Sequence, residues 1–290
     1  MTVDTIDPEL SARLQTIFLP LDKKAVLPSR GALADALSVY AKKAQVSHKQ
    51  KNVVKVVSPS DATFFATAAV EMWERAVHSF LISSALTTSS PIWSSVSGYY
   101  ASHYAVRAIA HLLGFFHLHN DHKLVRLIVR KHRYECEFTC PKKEMRREHS
   151  LYWVLVKENE LFASDPLFTA NKSDSTFELS DQDHRGKVNY SDHVFNFPDF
   201  EPLDKDFLKE RIDRISQLSF HDTPQPRLSE FPDVEYVQVV AYHRIVRFRQ
   251  MLDEILGGKN KFWNEHRNPS FARDYMDFQL IGDFKLDEMK

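Results

Sequence analysis

Tyr100, His103, Tyr104, Arg107 and His111 follow one another at three- and four-residue steps inside the stretch from Trp93 to Phe116. On a helix this spacing sets them side by side over about three turns, and Arg107 and His111 become an i,i+4 pair. A guanidinium can neutralise an anion and an imidazole can exchange a proton, so the pair could hold and work on an anionic group. The competing reading is structural. An Arg and a His flanked by tyrosines also serve as a hydrogen-bonded interface or a satisfied core network.

Three other constellations carry chemical side chains. His111, His117, His119 and His122, with Asp121, are metal-ligand types, but no H-E-x-x-H and no third ligand at diagnostic spacing accompanies them. Histidines leaving a helix end also suit its negative dipole. No metal and no other cofactor is therefore assigned. From Arg126 to His149 the chain holds Arg126, Arg130, Lys131, Arg133, Lys142, Lys143, Arg146 and Arg147, interleaved with Tyr134 and Phe138. A hairpin of this kind can track phosphates and stack bases, which makes Arg130, Arg133, Lys142, Arg146 and Arg147 candidate substrate contacts. Glu135, Glu137, Glu144 and Glu148 oppose them, and a solvated, salt-bridged hairpin is the alternative. Late in the chain, Tyr242, His243, Arg244, Arg247 and Arg249 form a basic cluster from which His243 or Arg247 could join Arg107 and His111. The aspartates Asp165, Asp181, Asp183, Asp192 and Asp199 lack paired spacing, and no G-x-S-x-G marks a nucleophile.

Composition bounds these readings. The 290 residues are 43% hydrophobic and 27% charged, enough for a substantial core in one large domain or two small ones. Only 7 glycines argue against a sheet-rich fold and against phosphate-cradling loops. A net charge of -1 gives no whole-molecule attraction to nucleic acid or acidic membranes, so such a partner would need a local patch. Cys136 and Cys140 have no second pair to complete a zinc site, and a reducing compartment is the simpler expectation. The first ten residues lack a basic start and an apolar run, and no uncharged apolar stretch is long enough to span a bilayer, which predicts a cytoplasmic protein.

The elements that must position these residues are mostly helical. Val96, Tyr99, Val106, Ile109, Leu113 and Phe116 give the 93–116 stretch an apolar stripe, small alanines allow a close neighbour, and Gly114 comes near its end. Helices are expected over 7–18, 31–45, 60–84, 204–218 and 233–256. Their signals are Ser58-Pro59 and Asp204 at starts and Gly257-Gly258 at a stop. Residues 47–55 read as a polar basic loop. Period-two alternation predicts strands after His122, and further strands are expected over 150–156 and 160–163, with a long polar loop over 171–200 holding a short strand at 193–197. The fold class is thus α+β, mainly α: a helical bundle with an inserted or appended small antiparallel β-sheet. Residues 1–122 begin the helical core, 123–203 form the β insertion and polar loop, and 204–290 complete the core.

The segment from Ser97 through Tyr99-Tyr100-Ala101, His103, Arg107-Ala108 and on to Gly114 resembles the Tyr-Tyr-Ala…Arg-Ala helix of HEPN-like proteins, small helical bundles of prokaryotic conflict systems and nucleotidyltransferase partners. The likeness covers about 20 residues. Catalytic members are metal-independent ribonucleases using an Arg and a His separated by about four to six residues, often with a polar residue directly after the Arg. The Arg stabilises the developing phosphorane charge and the His moves a proton. The resemblance implies Arg107 and His111 as the cleavage pair, with Tyr100 and His103 orienting substrate. In this chain three residues separate that pair, and Ala108 follows the Arg in place of a polar residue. Arg126 and His132 show the wider spacing but fall in a strand and its turn. The expected function is an RNA-acting or RNA-binding protein, a candidate endoribonuclease of a prokaryotic defence or toxin system. RNA would lie along the basic hairpin, and a homodimer or partner protein is a further expectation. The alternative is a non-catalytic interaction or structural subunit using the same helix as an interface; a third reading is a nucleotide- or small-molecule-binding module using the hairpin.

Overall fold

Three helix starts among the described residues are set by short polar side chains, Ser58, Asp204 and Asn260, that satisfy backbone N–H groups left over at the first turn. In the computed structural model, which describes residues 8–23, 30–43, 52–119, 122–130, 133–140, 148–162, 165–169, 204–218 and 234–276, the first helices are α1 (Pro8–Phe18) and α2 (Arg30–Lys43). Strand β1 (Asn52–Val57) leads to Ser58, whose Oγ accepts from Asp61 N at 3.0 Å and opens the one-turn α3 (Pro59–Ala62). Thr63 interrupts the run before α4 (Phe64–Ala85), and residues 86–90 turn the chain into α5 (Pro91–Leu112). Then come β2 (Phe115–Leu118), β3 (Lys123–Arg130), β4 (Arg133–Thr139), α6 (Glu148–Lys157) and α7 (Pro166–Thr169). Asp204, its Oδ1 2.8 Å from Asp206 N, starts α8 (Lys205–Gln217). The long α9 (Val234–Leu256) ends at Gly257 and Gly258, with φ of 58° and 65°, and Asn260 caps α10 (Lys261–His266). The fold is α+β and mainly helical, with one four-stranded antiparallel sheet among the described residues. No helix among the described residues is long and apolar enough to cross a membrane.

The sheet runs β1-β4-β3-β2. One face, with Val57, Phe116, Val125, Leu127, Cys136 and Phe138, is buried, while Val54, Val56, Arg126 and Arg130 stand on the open face. Three sequence expectations need correction here. Residues 52–57 form edge strand β1, not a loop; their alternation was hidden by a polar, basic context. Residues 148–157 form α6, not a strand. The run Leu151-Tyr-Trp-Val-Leu-Val156 is apolar throughout, so its periodicity cannot separate a buried helix from a buried strand. Residues 160–162 form turns, Leu161 N donating to Asn159 Oδ1 at 3.1 Å. The 93–116 stretch is also divided: α5 stops at Leu112, Gly114 takes φ 84°, and its carbonyl accepts from Leu127 N at 2.7 Å, so Phe115 and Phe116 enter the sheet. The expected 171–200 loop and 193–197 strand lie outside the described residues.

The chain divides into two compact units, and three of the five crossings between them fall within α4, α5 and α9. The first comprises residues 1–72, 106–163 and 251–267 and contains the sheet. In it Phe18 meets Phe262 with ring centres 6.2 Å apart, and Asn260 Nδ2 donates to Phe18 O at 3.1 Å. The second comprises residues 73–105, 164–250 and 268–290. There Trp73 stacks on Phe248 at 5.9 Å and donates its Nε1 hydrogen to Ile245 O at 3.0 Å. Its helices approach through small residues. A Cβ on Gly98 would lie 2.8 Å from Val237 Cγ1 and 3.0 Å from Ser83 Oγ, and Val237 is a stiff, fully buried β-branched residue. Gly98→Ala is therefore expected to destabilise the fold by about 1–3 kcal/mol, seen as a lower urea midpoint with unchanged slope; an unchanged midpoint would show that α5 and α9 can separate without cost.

Candidate functional site

Trp93, Ser97, Tyr100, Tyr104, Arg107 and His111 fall on one line of α5, since their steps of four, three, four, three and four residues track the helical repeat. Exposure drops along that line. Trp93 is 61% exposed, Ser97, Tyr100 and Tyr104 are half-buried, Arg107 is 7% exposed and His111 is fully buried.

The sealed end is built from residues 106–112 of α5, β2, α6 and the start of α2, all in the first unit. Arg107 places Cζ 4.9 Å from the centre of the Tyr152 ring, and the edge of the same ring meets His111 at 5.5 Å and 89°. Phe116 lies against His111 at 5.2 Å, and Arg30 Cζ sits 5.2 Å from the Phe116 ring. His111 Nδ1 is 2.8 Å from Phe115 O; the carbonyl can only accept, so Nδ1 carries the hydrogen. Nε2 is then the bare nitrogen, and it is buried without a hydrogen-bond partner among the described residues. Burial pushes the imidazole pKa down to about 3; the bond to Phe115 O opposes this, and the charges of Arg107 and Arg30 add to it. A neutral, enclosed imidazole cannot give up a proton near neutrality and is a weak base there. What the arrangement does physically is close the last turn of α5 with a cation–π contact and one buried hydrogen bond.

The other candidate substrate contacts are spread out. His103, 1% exposed, stacks on Tyr99 at 6.0 Å and 10°, and Tyr100 meets Tyr99 at 5.4 Å and Tyr104 at 6.0 Å. Arg130 and Arg133 stand at the tip of the β3–β4 hairpin and both turn back onto Glu135, at 3.5 and 2.8 Å. Arg126 lies opposite Glu137 in the sheet register. Lys142, Arg146 and Arg147 lie outside the described residues, as does the Lys131-His132 turn. Among the described residues no group of three His, Cys, Asp or Glu side chains could hold a metal ion. His117 and His119 meet edge to face at 5.8 Å, and His117 N donates to Tyr152 Oη at 3.3 Å. In the second unit, His243 Nε2 bonds Leu218 O at 2.7 Å, and Arg247 pairs with buried Asp165 at 3.5 Å. Burial lowers Arg247 to about 10, against the raising effect of Asp165.

Of the residues that shut the Arg107–His111 end, Phe116 was marked in the sequence by its place in the apolar stripe, whereas Tyr152 and Arg30 offered no signal beyond their aromatic or basic type. No family model, no curated protein and no solved structure matches this chain.

The buried imidazole couples stability to pH. Its folded pKa lies below the unfolded value of 6.5, so unfolding takes up a proton, and the stability held above pH 6.5 is lost as pH falls toward 3. Moving from about pH 7 to about pH 5 should cost about 2 kcal/mol through this group alone. His111→Phe keeps a buried aromatic ring, somewhat larger, without the proton. Its unfolding free energy from urea titration at neutral pH is expected to fall by about 1 kcal/mol or more for the lost hydrogen bond and the larger ring, while the drop between the two pH values shrinks; an equal drop in both proteins would mean His111 is protonated in the folded state.

Proposed function

We propose that this chain is a non-catalytic protein-interaction subunit, in which the open part of α5 makes the contact and Arg107 and His111 serve the fold. The observation that carries this reading is the fall in exposure along one line of one helix. Trp93 stands out, Tyr100 and Tyr104 continue from it with ring centres 6.0 Å apart, and the two basic side chains further along are covered. Rigid aromatic side chains supply large contact area at little entropic cost, which is why Trp and Tyr dominate interface energetics. The hairpin favours this over phosphate tracking, since Arg130 and Arg133 share Glu135 and Arg126 faces Glu137. Cleavage of RNA by a HEPN-like Arg–His pair is the second reading. It draws on the bare Nε2 of His111, which could accept a proton only if Tyr152 and Phe116 moved aside.

Two measurements separate these readings. A photoreactive phenylalanine analogue at position 93 is expected to give a protein adduct of one defined mass in cells, and the same analogue at exposed position 261 to give none. Trp93→Ala should change stability by less than about 0.5 kcal/mol and abolish the complex. The purified chain should leave single-stranded RNA intact. Cleavage that Arg107→Ala and His111→Ala both remove, in protein with an unchanged melting curve, would overturn the interaction reading.

A further inference from the structure

The two cysteines of this chain stand in opposite surroundings. Cys136 is fully buried on the core face of β4, and burial, with a smaller contribution from Asp61, pushes its thiol up to about 12. Cys140, one residue past the end of β4, is exposed. Lys123, the first residue of β3, is 1% exposed and points Nζ at Cys140 Sγ, 3.1 Å away. The register accounts for the meeting. Leu124 pairs with Thr139, so Lys123 and Cys140 are the next positions outward at the open end of the β3–β4 hairpin, with Leu118 of β2 on the other side of Lys123. An accessible sulfur beside a cation is the kind that peroxides oxidise, whereas a sealed thiol such as Cys136 is inert.

We propose that Lys123 and Cys140 form an oxidative modification site, in which a peroxide oxidises Cys140 and the Lys123 amine then closes on the sulfur, stapling the open end of the hairpin. In the first step the thiol attacks hydrogen peroxide and the O–O bond breaks. Cys140 becomes a sulfenic acid, one oxygen leaves as water, and the sulfur has lost two electrons. In the second step Lys123 releases its extra proton to solvent and attacks the sulfur with its lone pair. An S–N bond forms, the S–O bond breaks, and the departing hydroxide takes the remaining proton as water. No second oxidant is consumed, and an added thiol reverses the link by attacking the sulfur.

The test is peroxide treatment of the whole chain followed by intact mass and peptide mapping. Wild type should lose two hydrogens, show the Lys123 and Cys140 peptides joined, and return to its starting mass with dithiothreitol, with Cys136 unmodified. Cys140→Ser, at an exposed position, should show none of this. Lys123→Arg keeps the charge but cannot close the bond, so a sulfenic acid should accumulate and be trapped by dimedone. Oxidation of Cys140 in wild type without joined peptides, an intermolecular Cys140 disulfide as the sole product, or reaction of Cys136 at the same rate would each overturn the proposal, whether or not Lys123→Arg folds.

Discussion

Helix α5 is enclosed along most of its length although it carries serines, histidines and an arginine, and the surrounding structure follows from the need to satisfy those groups. A polar atom taken out of water without a partner costs more than a hydrogen bond returns, so each one demands a particular neighbour. Ser94 exchanges bonds with Ser83 of α4, and Gln238 of α9 brings its Nε2 within 3.2 Å of four oxygens from Ser83, Thr87 and Ser94. The other end of the same carboxamide accepts from Arg211 of α8, which also pairs with Glu235. Further along, Ser102 accepts from Arg244, Arg107 lies on Tyr152, and His111 bonds the Phe115 carbonyl. Bonds of this kind specify one packing where they are made, while Ser95 Oγ and His111 Nε2 of the same helix stay buried without a hydrogen-bond partner among the described residues.

Buried arginines do related work on α9. Arg244, 1% exposed, gives Nε and Nη2 to the Leu167 carbonyl, and Arg247 pairs with Asp165, whose Oδ1 also accepts from Leu167 N at 3.0 Å. The short α7 is therefore held by charge-assisted bonds at both its start and its backbone, not by length or propensity. Basic residues that look like a ligand patch in the sequence are here the means of fixing a one-turn helix.

The sheet handles its charges differently, because one of its faces is open. Cations on that face lie near carboxylates: Arg126 is opposite Glu137 in the register, Arg130 reaches Glu135 across the hairpin, and Arg133 pairs with Glu135 along its own strand. Exposed pairs of this sort add little stability, but they keep the strand register from slipping and leave the face near neutral. Lys123 is instead on the buried side, 1% exposed, and Lys55 shares that face by its register with Cys136.

The sequence by itself determined what depends on near neighbours along the chain: the helical course of α4, α5, α8 and α9, the caps Ser58, Asp204 and the Gly257-Gly258 stop, and the β3–β4 alternation. Each of those signals is a spacing or a backbone preference complete within a few residues. It also placed Tyr100, Tyr104, Arg107 and His111 on one face, as found. Only the tertiary structure decided that residues 148–157 are a helix, that residues 52–57 join the sheet edge, and that the shared face of α5 is open at Trp93 and shut at His111. The reason is that a uniformly apolar run fits either a helix or a strand until its neighbours are in place, and that exposure is a property of what arrives from elsewhere. Tyr152 lies 41 positions after His111 in the sequence, yet it is the ring that decides whether that imidazole meets water.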